Sequence, residues 1–542
     1  MKTVIVGAVA LGASCAARLR RVNPNEEIIL LDKGSYASFA NCGLPYFVGD
    51  EIKTQDGLLV VGPAVFTNRF KIDLRLNSEV TAIDPKANSV TVVNNKTNET
   101  YTLEYDNLVL AMGADAIVPR IPGIDDENIF YLKTVDDAVG LKQKVSGLKD
   151  VAVIGGGFIG LEAMENLVTI GKTVHLIEGK PSVSNLDYDM ACILHGIIKD
   201  HGVDLHLGTM VESIERKGKK LIVHTTTGDV ETEAVVMSIG VKPNVKLAKD
   251  AGIELDENGT IKVNDRLETN YKNIYAGGDL VSNYDAITNN LVYVPLANYA
   301  NKHGRIIANN IAGKNYTRQK ITMAAVFKLF EYTVASVGLG EGMLNKFGIE
   351  SHMLYQNAQS HATYYPGATP IMAKMRYSKE GKIYGAQMIG KNLVEKRIDV
   401  LSAMLLKGNC TYEDLLQVES SYAPPFGAAK DILNHFGFMI DNEINCGLKT
   451  IDPLAIDKIK DQVFLIDVRG PQMHEKGHIG NAINIPIDCI RDNLDKLPKD
   501  QTIYVHCQVG LTSYNACCIL RGLGYDVVNV SGGYSLYSLM TK

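Results

Sequence analysis

The glycine-rich segment Gly155-Gly-Gly157-Phe-Ile-Gly160 limits the fold of this chain more than any other feature of its sequence. It follows an apolar predicted strand directly and opens a helical pattern, and the next predicted strand ends at Glu178. This order of elements is typical of a βαβ unit that seats a dinucleotide pyrophosphate on a helix N-terminus. Glu178 can hold both ribose hydroxyls and would repel a 2′-phosphate, which favours NADH. Lys180, a cation two residues on, keeps NADPH open as an alternative.

A second βαβ unit is predicted at the N-terminus. The segment Gly7-Ala-Val9-Ala-Leu-Gly12 follows a short apolar strand, and the next strand ends at Asp32. Val9 stands where this pattern usually has its second glycine. Later strands that end at Gly113 and Asp279 belong to the same unit, and Asp279 is suited to hydrogen-bond the ribityl chain or pyrophosphate of a flavin nucleotide. Because the complete glycine motif lies between them, one nucleotide-binding unit is predicted to be inserted in the other.

The thiol of Cys42 has no second cysteine a few residues away. A lone thiol beside a redox cofactor cannot close an internal disulfide, so its oxidised partner must enter from outside. This indicates chemistry on small thiols, disulfides or persulfides. Pro45 predicts a helix that begins at or near Cys42, and a helix N-terminus would lower the thiol pKa from its usual value of roughly 8.5. Cys15 and Cys192 fit buried structural positions better.

A further unit is predicted beyond about residue 450. A strand ends at Cys507, and the loop from Cys507 to Ser513 leads into a helix. Such a loop can surround a thiolate and a bound sulfur atom with backbone N–H groups, which fits sulfur carriage better than phosphate binding. Asp467 and Arg469 are interpreted as structural partners. Two cysteines on the following helix, Cys517 and Cys518, are interpreted as core residues.

Size and composition set the general class. The 542 residues are too many for one core, so three or four domains are expected. A net charge of −6 argues against nucleic acid as a partner, and no apolar run is long enough to span a membrane. The nine cysteines are scattered without CxxC spacing, which favours a reducing, cytoplasmic location. No metal site is predicted.

Further motifs make the resemblance to a known family specific. They are Ser38-Phe-Ala-Asn-Cys42-Gly-Leu-Pro, His361-Ala-Thr-Tyr-Tyr-Pro-Gly, Ser421-Tyr-Ala-Pro-Pro-Phe-Gly-Ala-Ala-Lys430 and the loop at Cys507. With them the chain resembles the pyridine nucleotide–disulfide oxidoreductase family over nearly its whole length. More closely it is similar to the branch of coenzyme A-disulfide reductases and NADH-dependent persulfide reductases that carry a C-terminal rhodanese domain. Thr512 departs from that pattern, because many rhodaneses have arginine there, and thiosulfate is therefore expected to be a poor sulfur donor.

The resemblance implies FAD, a homodimer and a single cysteine that cycles between thiolate and mixed disulfide or persulfide over the flavin. It makes Cys42 and Cys507 catalytic, with tyrosines of the third domain reaching the partner's active site, namely Tyr364, Tyr365 and Tyr422. The implied cofactor contacts are Gly7, Val9, Ala10, Gly12, Asp32, Lys33, Asn41, Cys42, Val80, Ala111, Gly113, Gly155, Gly157, Gly160, Glu178, Gly278, Asp279, Leu296 and Ala297.

Coenzyme A binding is implied for polar and basic side chains near the thiol. These are Ser14, Arg18, Arg21, Ser38, Asn41, Lys71 and Lys430. Asn301 departs from the pattern, where a histidine contact is expected. For Arg18 and Arg21 an alternative is left open, since both fit the solvated face of a helix equally well.

The predicted fold class is α/β with two Rossmann-like domains, an α+β dimerisation domain and a C-terminal rhodanese domain. The predicted bounds are 1–115 with 241–320 for FAD, 116–240 for NAD(P)H, 321–442 for dimerisation, 443–455 as a linker and 456–542 for rhodanese. The expected activity is NAD(P)H-dependent, FAD-dependent reduction of coenzyme A persulfide, polysulfide or coenzyme A disulfide, with sulfane sulfur relayed by the rhodanese domain. Two alternatives are an NADH oxidase or peroxidase that cycles through sulfenic acid, and a sulfur-carrier or redox-sensing module.

Overall fold

The computed structural model describes residues 1–541. Its strands in chain order are β1 (Lys2–Val6), β2 (Glu27–Leu31), β3 (Asp73–Arg75), β4 (Ser78–Asp84), β5 (Ser89–Asn94), β6 (Thr100–Glu104), β7 (Asn107–Leu110), β8 (Ala114–Ala116), β9 (Ile129–Phe130), β10 (Asp150–Ile154), β11 (Thr173–Glu178), β12 (Asp204–Leu207), β13 (Val211–Lys217), β14 (Lys220–Thr225), β15 (Gly228–Thr232), β16 (Ala234–Met237), β17 (Val241–Pro243), β18 (Ile274–Ala276), β19 (Asn283–Tyr284), β20 (Leu291–Val292), β21 (Ala325–Leu329), β22 (Tyr332–Gly338), β23 (His352–Gln359), β24 (Pro370–Tyr377), β25 (Ile383–Gly390), β26 (Lys449–Ile451), β27 (Phe464–Asp467), β28 (Ile483–Asn484), β29 (Ile503–His506) and β30 (Val527–Val530).

The α-helices in chain order are α1 (Ala10–Val22), α2 (Leu44–Val48), α3 (Val135–Val145), α4 (Phe158–Thr169), α5 (Tyr188–Asp200), α6 (Lys246–Asp250), α7 (Ala297–Ile311), α8 (Glu341–Lys346), α9 (Val394–Leu405), α10 (Tyr412–Leu416), α11 (Ile432–Cys446), α12 (Pro453–Ile459), α13 (Pro471–Glu475), α14 (Leu511–Gly522) and α15 (Gly533–Met540).

The first compact unit comprises residues 1–180, 202–285 and 289–321. It contains two parallel five-stranded sheets, in the strand orders β18-β7-β1-β2-β3 and β12-β11-β10-β16-β9. In each, the strand that precedes a glycine turn is central. The carboxyl ends of these strands therefore meet at one edge of their sheet, which is where α/β sheets bind nucleotides.

Both faces of the first sheet are covered, as a parallel sheet requires. Ile5 and Leu30 face one core cluster, which includes Leu19 of α1 and Ile307 of α7, while Val4 faces a second cluster on the other side. That second cluster includes side chains of β4 and β5, two strands of the antiparallel sheet β4-β5-β6. The alternation along β1 thus fixes which side chains face which layer.

The second compact unit comprises residues 181–201, 286–288 and 322–542. It contains the antiparallel sheet β21-β22-β25-β24-β23 and the parallel sheet β26-β30-β29-β27-β28. The antiparallel sheet shares one core with α9 and α11, in which Leu401 and Phe436 are completely buried. The parallel sheet has apolar clusters of its own on its two faces.

Two parts of the chain differ from the predicted bounds. Helix α5 falls in the second unit, because the buried Asp187 that precedes it accepts hydrogen bonds from Lys374 and Arg376 of β24 at 2.8 and 2.7 Å. The expected linker 443–455 contains strand β26, which pairs with β30. The remaining bounds stay predictions.

Candidate active site

The turn after β1 lies so close to neighbouring backbone that two of its positions have no room for a Cβ. Gly7 has φ +104°, and a Cβ there would collide with the carbonyl of Ala111, while a Cβ on Gly12 would collide with the carbonyl of Gly7. Gly155 and Gly160 repeat both relations after β10, with φ +105° at Gly155. The two turns therefore share one backbone geometry and fit the pyrophosphate of a dinucleotide at the start of α1 and of α4.

The middle position of this turn explains why Val9 is tolerated. Val9 has φ −99°, outside the left-handed region that favours glycine, and it precedes the first residue of α1. The equivalent Gly157 has φ −76°, and a Cβ there would meet no atom within 4 Å. The protein backbone itself therefore does not require glycine at either position.

In each unit a carboxylate at the end of the second strand accepts two hydrogen bonds from backbone N–H groups, one of which belongs to the glycine turn. Asp32 accepts hydrogen bonds from the backbone N–H of Ala8 at 2.7 Å and of Gly34 at 2.8 Å. Glu178 accepts them from Gly156 at 2.6 Å and from Lys180 at 2.8 Å. Burial raises the pKa of Asp32, and its two backbone hydrogen bonds oppose that effect. Each carboxylate is thus held at the end of its strand, where a ribose hydroxyl of a bound dinucleotide lies.

Asp279 lies in the turn directly after β18, which is a neighbour of β7 in the first sheet. Burial raises the pKa of its carboxyl, and Lys133 opposes the rise. Beside it, His303 accepts a hydrogen bond from the backbone N–H of Gly278 at 3.1 Å, and burial lowers the His303 pKa to about 4. A neutral imidazole therefore fixes the turn that presents Asp279.

Other predicted cofactor contacts occupy positions of the same unit. Leu296 precedes α7 and Ala297 is its first residue, Val80 lies on β4, and Lys33 faces Asp115 at 3.9 Å. Gly113 has φ +65° and accepts a hydrogen bond from the N–H of Asn244 at 3.0 Å. These contacts remain predictions.

Cys42 is an exposed free cysteine in a short 3-10 turn, Asn41–Gly43, directly before α2. The sequence predicted that the helix would lower the pKa of Cys42. That prediction is wrong when only protein groups are counted, because together they raise the pKa of the thiol. Partial desolvation by the surrounding protein atoms is the main cause, the carboxylates of Glu162 and Asp279 add to it, and Lys133 opposes it. Helix α2 has only five residues, so its dipole is a weak counterweight.

Glu162 is a group near the thiol to which sequence reasoning assigned no role. It lies on α4, two residues after the last glycine of the motif, and accepts a hydrogen bond from the Tyr46 hydroxyl at 3.3 Å. Burial raises its pKa to about 7, Glu165 adds to the rise, and the Tyr46 hydrogen bond opposes it.

Asn41 contributes a further link between the two nucleotide-binding units, because its amide donates to the backbone carbonyl of Lys133 at 3.3 Å.

The predicted coenzyme A residues of this unit are partly engaged within the protein. Arg18 donates to the side chain of Asn309 at 3.0 Å, and the Arg21 guanidinium lies over the ring of Phe70 at 5.1 Å. Ser14 hydrogen-bonds Asn301, the residue at the position where a histidine is expected. Two more residues, Ser38 and Lys71, have positive φ angles of 51° and 50°. The coenzyme A contacts remain predictions.

In the second unit, the aromatic residues Tyr364, Tyr365 and Tyr422 are exposed. The hydroxyls of Tyr364 and Tyr422 hydrogen-bond each other at 2.6 Å, and the Tyr365 ring packs edge-on against His361 at 5.7 Å. Lys430 is also exposed and directly precedes Asp431, the N-cap of α11. These side chains are available to a second subunit or to a ligand.

Cys507 directly follows β29 in the second unit and is almost fully buried, with 2% of its surface exposed. Its sulfur accepts hydrogen bonds from the backbone N–H of Gly510 at 3.1 Å and from the Ser513 hydroxyl at 3.4 Å. The first backbone amides of α15 donate to the loop carbonyls of Cys507 and Gln508 at 2.8 and 2.9 Å. Helix α15 therefore stabilises the loop through the loop carbonyls, while the Gly510 N–H and the Ser513 hydroxyl are directed at the Cys507 sulfur.

Arg469 supports this loop from the side. It pairs with the buried Asp467 at 2.7 Å and donates to the Gln508 side chain at 2.8 Å, as expected for structural partners.

Cys15, Cys192 and Cys517 are buried as predicted, whereas Cys518 is exposed, which corrects its interpretation as a core residue. The helix α14 turns Cys518 away from the core that holds its neighbour.

Among residues 1–541, no helix has the length and apolar character that crossing a membrane requires.

Comparisons with known proteins agree with this architecture. The model of the family Pyridine nucleotide-disulphide oxidoreductase matches residues 1–304, that of its dimerisation domain 324–431, and that of the rhodanese-like domain 453–539. A coenzyme A disulfide reductase from Staphylococcus haemolyticus is 35% identical over 442 residues, which cover 81% of this chain and 98% of that relative.

Two solved structures extend the similarity to almost the whole chain. The reduced CoADR-RHD of Bacillus anthracis is 41% identical with a TM-score of 0.96, and the match covers 99% of this chain and 98% of that one. The NAD-dependent persulfide reductase of A. fulgidus is 32% identical with a TM-score of 0.93, and the match covers 99% and 100%. The predicted fold class is thereby confirmed, and FAD and NAD(P)H are the cofactors that the family implies. The chain is an oxidoreductase that belongs to the pyridine nucleotide-disulphide oxidoreductase family and carries its dimerisation domain followed by a rhodanese-like domain.

Proposed function

We propose that this enzyme uses NADH to reduce coenzyme A persulfide, polysulfide or coenzyme A disulfide through Cys42. The observation that carries the proposal is the exposed, unpaired Cys42 in the unit that holds both dinucleotide turns. Bound FAD would supply the two electrons that it takes from NADH. The names of the similar reductase structures support the substrate class.

The thiolate of Cys42 is the proposed nucleophile. With coenzyme A disulfide, it attacks one sulfur, a Cys42–coenzyme A disulfide forms, and one coenzyme A thiolate leaves and takes a proton. Two electrons then cleave that bond and return the Cys42 thiolate and a second coenzyme A thiol. With coenzyme A persulfide, attack on the outer sulfur breaks the substrate S–S bond, releases coenzyme A thiolate and leaves a Cys42 persulfide. Two electrons then convert this persulfide to hydrosulfide and the Cys42 thiolate.

The leaving sulfur needs a proton or a hydrogen-bond donor. Tyr364, Tyr365 or Tyr422 from the other subunit of a homodimer is the proposed source, and their exposure supports this role. Ser14, Arg18, Arg21, Ser38, Asn41, Lys71 and Lys430 are proposed to bind the coenzyme A portion.

Cys507 is proposed to accept sulfane sulfur and to pass it to coenzyme A or toward Cys42. The donors at Gly510 and Ser513 support this role because they stabilise a thiolate or a terminal persulfide sulfur. Thr512, at the start of α14, occupies the position where many rhodaneses have arginine, so neutral or polymeric sulfur is proposed as the donor rather than thiosulfate.

Anaerobic stopped-flow spectroscopy tests the proposal. Flavin reduced by NADH should be reoxidised quickly by coenzyme A persulfide, polysulfide or coenzyme A disulfide, and slowly by peroxide. Fast reoxidation by peroxide or dioxygen alone would instead favour the oxidase or peroxidase alternative. An absence of steady turnover with every free sulfur substrate would favour a carrier or sensing module.

A further inference from the structure

His175, Asp204 and His206 form a cluster in the second nucleotide-binding sheet that the proposed thiol chemistry does not use. The Asp204 carboxylate oxygen lies 2.8 Å from Nδ1 of His175 and 2.8 Å from Nε2 of His206. One ligand atom from each residue lies within 4.8 Å of the others. The sequence predicted no metal site, and no role was assigned to these three residues from it.

Strand register brings these side chains to one face. Strands β11 and β12 are parallel, with His175 opposite Asp204 and Ile177 opposite His206. Because side chains alternate along a strand, Asp204 and His206 point to the same side as His175. The cluster is therefore a product of backbone pairing, which holds the three donors at fixed relative positions.

Apolar side chains flank the two imidazoles on the same face of the sheet. Ala152 lies opposite His175 on the other neighbouring strand, and Ala152 and Ile177 belong to the core cluster beneath the antiparallel sheet β13-β14-β15. The side chains of His175 and His206 are 19% and 27% exposed, whereas Asp204 is 54% exposed. The two histidine side chains are thus largely enclosed by the protein. The Asp204 carboxylate is more exposed, so an ion can reach the cluster from solvent on that side.

We propose that His175, Asp204 and His206 form a binding site for a divalent transition-metal ion of the Zn²⁺, Ni²⁺ or Cu²⁺ class. Two imidazole nitrogens with one carboxylate suit these ions, whereas Ca²⁺ and Mg²⁺ prefer oxygen ligands alone. Ligand bonds of about 2.0–2.2 Å place neighbouring ligands of a tetrahedral ion about 3.3 Å apart. The present 2.8 Å contacts would therefore open by about half an ångström, and the two imidazole nitrogens, which lie within 4.8 Å of each other, would come to the same spacing of about 3.3 Å by side-chain rotation.

Such an ion would join the edge strand β12 to β11. Glu178, the predicted ribose ligand, ends β11 three residues after His175, which is about 10 Å along a strand. The metal and the dinucleotide would therefore occupy separate places on the same strand. The expected consequence is a higher unfolding temperature of the enzyme with Zn²⁺ bound, without any need for the ion in thiol chemistry.

Isothermal titration calorimetry with ZnCl₂ tests the site in the untagged, flavin-containing enzyme. Exposed thiols are first blocked with iodoacetamide, because thiolates bind Zn²⁺ themselves. We expect one Zn²⁺ per chain, and His175→Asn and His206→Asn should each weaken binding by more than about tenfold, since even supporting partners of a metal ligand are worth about 10–100-fold. Unchanged affinity in both variants, or no binding by the parent protein, would overturn the proposal.

His224→Asn is the matched control. His224 also contacts two carboxylates, Asp229 at 2.8 Å and Glu215 at 3.4 Å, but it has no second imidazole. Its replacement should leave Zn²⁺ binding unchanged, and an equal loss there would contradict the assignment. A second measurement needs no variant: Cu²⁺ electron paramagnetic resonance of the parent protein should show couplings from two imidazole nitrogens, and a spectrum with none would refute the site.

Discussion

The hydroxyl of Tyr46 donates a hydrogen bond to the carboxylate of Glu162 over 3.3 Å and thereby links the helix after Cys42 to the first helix of the inserted nucleotide-binding unit. The charge of Glu162 is among the causes that raise the pKa of Cys42. Since the Glu162 pKa is itself raised to about 7, this carboxyl gains its charge near neutral pH. The pKa of the thiol that is proposed to react therefore depends on a residue of helix α4, which follows the second dinucleotide turn.

Glu162→Gln should make Cys42 reactive at lower pH. The substitution removes a negative charge that disfavours the thiolate, so the pKa of Cys42 should fall by about one unit or less, a shift of the size common in folded proteins. The pH dependence of Cys42 alkylation by iodoacetamide measures this, with the other exposed cysteines replaced. Tyr46→Phe, which keeps the carboxylate, is the control and should not move the profile to lower pH.

Glu178→Ala should reduce the preference for NADH. The variant loses the acceptor for the ribose hydroxyls and the charge that repels a 2′-phosphate, so the ratio of kcat/KM for NADH to that for NADPH should fall about tenfold or more. Steady-state kinetics with both nucleotides measure the ratio. Lys180→Ala should lower only the activity with NADPH, and an unchanged ratio in Glu178→Ala would contradict the assigned role.

Ser513→Ala should slow sulfur transfer at Cys507. Its hydroxyl donates to the Cys507 sulfur at 3.4 Å, and a hydrogen bond to a charged group is worth about 1.5–3 kcal/mol, so about a tenfold loss or more is expected. Polysulfide turnover should fall while reduction of coenzyme A disulfide stays constant. Ser538→Ala, whose hydroxyl bonds only the Ser535 carbonyl among the described partners, is the matched control and should leave both rates unchanged.

The buried ion pairs at the start of α5 predict a stability effect. Lys374 is 1% exposed and contacts Asp187 and Asp189, so Lys374→Met leaves buried carboxylates short of a partner and should cost about 3–5 kcal/mol. Urea unfolding monitored by circular dichroism measures the loss. The exposed pair of Lys391 and Glu331 is the control, because Lys391→Met should cost less than about 1 kcal/mol.

The same network predicts a pH dependence. Burial alone would raise the pKa of Asp187, but Lys374 and Arg376 outweigh it and hold the pKa at about 2. An acid whose pKa is depressed on folding contributes stability above its unfolded pKa of about 3.9, and this contribution is lost as the pH falls toward 2. Urea midpoints measured between pH 5 and 2 should therefore fall less in Lys374→Met than in the parent protein.

Local sequence patterns predicted the two dinucleotide-binding units because strand, glycine turn and helix follow one another within each, whereas the dimerisation domain was implied by the resemblance to a family. The turns at Gly7 and Gly155, the lone Cys42 and the loop at Cys507 were all visible in this way. The long-range partners were not, because Tyr46 and Glu162 are 116 residues apart and the Asp187–Arg376 contact spans 189 residues. For the same reason, the pKa of Cys42 was predicted in the wrong direction: its helix is local, but the burial that chiefly raises the pKa and the carboxylates that add to it depend on distant parts of the chain.

Anaerobic stopped-flow spectroscopy of Cys42→Ser tests the central claim most directly. We expect this variant to retain its flavin, to be reduced by NADH at the parent rate, and to lose reoxidation by coenzyme A persulfide and coenzyme A disulfide. Serine keeps the size and the hydrogen-bonding capacity of the side chain but offers no thiolate at neutral pH. Reoxidation by these substrates at the parent rate would contradict the account, because the sulfur of Cys42 would then be dispensable.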